Sequence, residues 1–167
     1  MRWIEIDGVI YFKVVNDGTT GRRQWPNRLK NLDCTVGHSA ERMLLSGGPT
    51  STTGETINVA VLKDVFPADH GEIFTVGEAR DEAGRMGLTE LDPEVACIIL
   101  DSVTSEELAE MGLNWIVVMG ETIDGSDGVP SLLGVGRNDC LGAFWGRRED
   151  PLRIGDGCAF EGVPPED

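Results

Sequence analysis

Positive charge is missing from the middle of this chain. Residues 86–136 hold ten acidic side chains and no lysine or arginine, and the 167 residues together carry a formal charge of −15. Charge of that size keeps a chain solvated and repels phosphate backbones and anionic lipid, so direct nucleic-acid binding and membrane binding are not expected. Histidine is scarce too. With two histidines in the chain, imidazole chemistry rests on His38 or His70. The four cysteines, Cys34, Cys97, Cys140 and Cys158, form no C-x-x-C pair, which removes zinc ribbons and thioredoxin-type sites. No apolar run approaches the ~18 residues of a membrane span. The opening "MRWIEIDGVIYF" alternates polar and apolar residues and lacks the apolar core of a secretion signal. A cytoplasmic protein with reduced thiols is the expectation. There is no repeat, low-complexity segment or linker, so residues 1–167 read as a single compact domain. At this length about 70% of the unfolded surface can be buried.

What is present is a mixture of helix and strand signals. Asp7-Gly8 between β-branched runs marks a hairpin. Trp25, Leu29 and Leu32 share one helical face, and Pro26 suits a first turn. A second short helix in "TVGHSAERMLLSGG" has Val36, Ala40, Met43 and Leu44 inward, and residues 57–63 read as a buried strand. Thr75 with Glu78 and Thr104 with Glu107 are capping boxes, in which hydroxyl and carboxylate satisfy first-turn backbone donors. Between them "EVACIILDSV" is apolar on most of its circumference, as a central helix would be. Short β-rich runs follow at 114–119, 132–136, 140–145 and 158–163, and sequential strands of this kind usually pair antiparallel. The expected architecture is α+β: a mostly antiparallel sheet with three to five helices packed on one face.

Motifs that suggest chemistry are incomplete. "GGPTSTTGET" (47–56) resembles a phosphate loop, but Glu55 stands where the lysine is needed and a strand follows instead of a helix. "GHSAE" (37–41) lacks the serine position and closing glycine of a nucleophile elbow. Cys34 and His38 lie four apart, two ligands where a metal wants three or four. The weak catalytic candidates are His70 and Glu72 in "DHGE", an imidazole base oriented by a carboxylate; the same residues also suit an ordinary turn. "ETIDGSDGVP" (121–130) breaks the EF-hand pattern at positions 5 and 12, which leaves Asp124 and Asp127 as weak metal candidates. No motif implies a cofactor.

The stretch "GRNDCLGAFWGRRED" (136–150) returns positive charge beside aromatics. Asn138 and Asp139 suit a left-handed turn, and Gly142 and Gly146 mark positions where another group approaches the backbone. A ligand site here would use Trp115, Glu121, Arg137, Trp145, Arg147 and Arg148, with arginines clamping an anion and Trp145 stacking on a ring. The favoured alternative is that Arg147 and Arg148 pair with Glu149, Asp150 and the acidic middle of the same protein.

The stretches "GVIYFKVVNDGTTG", "DPEVACIILDSVTSEELAEMGLNWIVVM" and "SDGVPSLLGVGRNDCLGAFWGRRED…GCAF" resemble a set of small uncharacterised bacterial proteins. That resemblance covers most of the chain and implies one domain. It carries no activity and no site residues, and products of this kind are often found on mobile elements. The functional expectation is therefore a non-enzymatic acidic binding or regulatory protein. It would meet a protein partner through Glu94, Glu106, Glu107 and Glu110, or a second copy through a sheet edge. The alternatives are a small-molecule site or hydrolase between the C-terminal sheet and the helices, and an inhibitor that mimics nucleic-acid charge.

Overall fold

The computed structural model describes residues 2–16, 18, 20–46, 54–63, 71 and 73–166. Asp7 and Gly8 adopt φ of 51° and 80°, the left-handed pair that closes a two-residue hairpin. This turn joins β1 (Trp3–Ile6) to β2 (Val9–Val15). A 3-10 turn then leads into α1 (Trp25–Asn31), followed by β3 (Thr35–Val36), α2 (His38–Ser46), β4 (Thr56–Leu62) and β5 (Ile73–Thr75). The capping box of Thr75 and Glu78 starts α3 (Val76–Arg85), and that of Thr104 and Glu107 starts α5 (Ser105–Glu110), with α4 (Val95–Ser102) between them. Strands β6 (Trp115–Val118), β7 (Ile123–Asp124), β8 (Pro130–Gly136), β9 (Cys140–Trp145), β10 (Pro151–Arg153) and β11 (Asp156–Glu161) complete the order.

Among the described residues, nine strands form one sheet in the order β1-β2-β4-β11-β6-β8-β9-β3, with β7 on β8, while β5 and β10 form a separate ribbon. The fold is α+β, but the sheet is mixed instead of mostly antiparallel. β11 runs parallel to β6, and β3 runs parallel to β9. Parallel neighbours need a long crossover; here β7 to β10 supply it between β6 and β11. Local turn signals cannot reveal such a pairing.

The inner strands are buried on both faces, so their residues alternate between two apolar clusters. Ile10, Val59, Val61, Ile116, Val118 and Val135 point toward α1, α2, α4 and the end of α5, where Leu29, Met43, Ile99 and Leu108 meet them. Tyr11, Ala60, Leu62, Val117, Cys158 and Phe160 point the other way, toward Val76, Ala79 and Ala83 of α3 and toward Phe74 and Leu152 of the ribbon. The helices therefore occupy both faces and not one. Helix α3 shares its face of the sheet with the ribbon. Leu32 and Met86, each the last apolar position of its stripe, turn outward and are 53% and 40% exposed. Among the described residues no helix is long and apolar enough to cross a membrane.

Candidate functional site

The β8–β9 hairpin turns at Asn138 and Asp139, whose φ values are 67° and 52°. Its register sets Gly134 opposite Gly142 and Gly136 opposite Cys140. These glycines leave a strip of backbone without side chains, and two aromatic rings cover it. A Cβ on Gly134 would lie 2.5 Å from Cε2 of Phe144; one on Gly136 would lie 2.8 Å from Cη2 of Trp115, and one on Gly142 3.1 Å from the same atom. The two rings meet edge to face, with centroids 5.1 Å apart and planes at 78°, an arrangement the aromatic quadrupole favours.

Beside this aromatic corner the β5–β10 ribbon faces the sheet. The space between them is a groove of about 930 Å³, with Asn114, Trp115 and Phe144 on the sheet side, Ile73 and residues 151–154 on the ribbon side, and Asp156 between them. Ile73 and Ile154 form an apolar rim and are 56% and 44% exposed. Asp156 is the cross-strand neighbour of Trp115 in the parallel β6–β11 pairing. Its Oδ2 accepts a 3.2 Å bond from the Arg153 backbone N–H. Burial raises its carboxyl pKa above the usual 3.8, offset in part by that N–H and by the Arg153 charge. The strand is aimed by Gly155, whose φ of 102° is a conformation only glycine takes easily, and by the Asn114 N–H, which donates to Gly155 O at 2.9 Å.

Of the residues singled out in the sequence, Trp115 is brought into this groove and the others are dispersed. Glu121 is exposed past the end of β6. Arg137 sits at the β8–β9 turn and donates from Nε to Leu113 O at 2.8 Å. Trp145 stands 59% exposed at the end of β9, with Nε1 3.3 Å from Asp127 Oδ2. The Arg147 N–H donates to Asp150 Oδ2 at 2.8 Å. Arg148 reaches Asp81 of α3 with bonds of 2.8 and 3.0 Å; both side chains are exposed. The close approaches at Gly142 and Gly146 are filled by the chain itself, by Trp115 at the first and by Thr122 and Leu132 at the second.

Asp127 accepts from the Val129 N–H at 3.0 Å. That bond, with smaller contributions from Trp145 and Arg147, holds its carboxyl below the usual range. Asp124 pairs with Pro130 in the β7–β8 ladder. Among the described residues no group of three metal-ligating side chains is assembled. His70 and Glu72 lie outside the described residues, as does most of the 47–56 loop. His38 is exposed and Cys34 half-buried. All four cysteines are free thiols, and burial pushes the thiols of Cys97 and Cys158 up strongly.

Asn114, Phe144, Arg153 and Asp156 escaped the sequence reading. The one local signal was Gly155-Asp156-Gly157: a carboxylate bracketed by glycines just before a strand. A Cβ on Gly157 would lie 2.4 Å from a Val61 methyl, so packing requires the second bracket, while the φ of 102° requires the first. No family model matches the chain, and no curated protein or solved structure shows significant similarity to it.

Proposed function

We propose that this chain is a non-enzymatic binding module and that the groove beneath the β5–β10 ribbon takes a small, partly apolar molecule. The observation that carries this reading is the aromatic corner of Trp115 and Phe144 opening toward two exposed isoleucines across about 930 Å³. Pockets that hold small molecules have this size and this mixture of apolar wall and few polar groups. Exposed isoleucine beside half-buried aromatic surface costs solubility, which a ligand would offset by covering it. The test is the uptake of the neutral dye Nile red, followed by its fluorescence. Saturable binding that is lost in Ile154→Asp, with the Trp115 indole resonance shifting on titration, supports the reading. Equal dye uptake by the variant, or an unmoved indole resonance, refutes it.

A second reading follows the charge. Asp33, Asp101 and Asp139 surround Cys34 closely enough to raise its thiol pKa beyond the effect of burial, beside the exposed Leu32 and the start of α5. This acidic shoulder suits a basic protein partner. Glu94 cannot take part, because it is fully buried; Glu106 and Glu110 are exposed. A Glu106→Gln, Glu110→Gln chain that recovers the same basic proteins from cells as the parent would count against it.

A further inference from the structure

We infer that the ligand of the groove is an alkylated ammonium ion, seated between the Trp115–Phe144 corner and the Asp156 carboxylate. This rests on the groove reading above. Two rings in an edge-to-face pair line the groove, and cations are drawn to ring faces within about 6 Å of the centroid. Asp156 stands one strand away from Trp115, in direct register on the same face, so its charge lies within about 5 Å of the strand that bears the ring. Its Oδ2 accepts from the Arg153 N–H. Aromatic surface, an apolar rim and one carboxylate in a partly desolvated groove are the components that hold quaternary ammonium groups. The net charge of −15 raises the concentration of any cation near the surface.

Arg153 sets the sign of the test. It is the cation of the groove itself, and its charge offsets part of the Asp156 shift. An incoming ammonium competes with it; an incoming anion would be helped by it. Removing this guanidinium therefore tightens the binding of a cation and weakens that of an anion.

The experiment titrates the whole chain with choline and with its neutral isostere 3,3-dimethylbutan-1-ol, read at the Trp115 indole resonance. Choline is expected to bind about tenfold more tightly than the alcohol, the worth of one partly desolvated cation–π contact. Asp156→Asn should remove that preference and Arg153→Gln should strengthen it. A free amine and a modified lysine side chain share this chemistry. A peptide carrying trimethyl-lysine, compared with the same peptide unmodified and with choline, separates the two sources. Equal affinity for choline and the alcohol overturns the inference, as does weaker choline binding in Arg153→Gln or no choline binding at all. Nile red uptake in the same samples reports separately on the groove, so the inference can fail while the groove reading stands.

Discussion

Trp25 Nε1 donates a 2.7 Å hydrogen bond to Glu94 Oε1, joining the start of α1 to the turn that begins α4. Both side chains are buried, and the link continues outward: Asp92 Oδ1 accepts from the Glu94 N–H at 2.8 Å and from Arg22 at 2.9 Å, while the Arg28 guanidinium lies 5.0 Å from the Trp25 ring. The network explains why a glutamate in the acidic middle faces inward. Trp25→Phe keeps most of the ring and deletes the donor. Taking one partner from a buried carboxyl costs about 2 kcal/mol, which should appear as a lower urea midpoint with an unchanged slope.

The two capping boxes make a smaller and more local contribution. Thr75 Oγ1 accepts from the Glu78 N–H and Thr104 Oγ1 from the Glu107 N–H, each at 3.1 Å. Thr75→Ala and Thr104→Ala should each cost about 1 kcal/mol. Glu107 also carries a pH signature. Its folded pKa lies below the ordinary 4.5, chiefly through the bond it accepts from the Thr104 N–H. Its stabilising effect is present above pH 4.5 and is lost as pH falls through the depressed folded value. Glu107→Gln should flatten that part of the acid-unfolding curve.

These caps were legible because their cause lies within four residues. The same holds for Asp7-Gly8 and Asn138-Asp139, where the turn residues state their own backbone angles. What the sequence hid lies at long range. Asp156 faces Trp115 only because β11 inserts beside β6 in parallel. Glu94 reads as one more surface acid until Trp25 is seen to reach it. Trp115 could be picked out as an aromatic of interest, but not as the cover of a glycine strip. Arg148 was legible as an internal partner, though nothing local singled out Asp81.

Asp156 should behave opposite to Glu107. Its folded pKa is raised, because burial disfavours the carboxylate. In the interval between the ordinary value and the raised one the folded state holds more protons than the unfolded state, so stability falls as pH rises through it. Above that interval the ionised side chain is a cost that Asp156→Asn removes. Thermal melts of the ligand-free chain at pH 7 should show the variant as stable as the parent or more so. A lower melting temperature would mean that the carboxylate supports the fold.

Gly134→Ala tests the glycine strip. The new methyl would stand 2.5 Å from the Phe144 ring, and overpacking of that kind costs about 1–3 kcal/mol. Phe144→Leu in the same chain should recover part of the loss. The two changes would then be non-additive, as expected for residues in contact. Additive losses in a double-mutant cycle would show that the ring yields freely.

The position of β11 bears on how the chain comes off the ribosome. It is the last strand in sequence, yet it lies in the interior of the sheet, antiparallel to β4 and parallel to β6. Until residues 156–161 have been made, the described strands of the main sheet can form only two separate groups, β1-β2-β4 and β6-β8-β9 with β7 and β3, each ending in an unpaired edge of β-branched residues at β4 or β6. Such edges are where chains stick to one another. The nascent chain thus carries an open β4 flank once residue 62 has been made and an open β6 flank once β8 has been made, and one short segment closes both. A chain shortened before residue 156 would keep both flanks open.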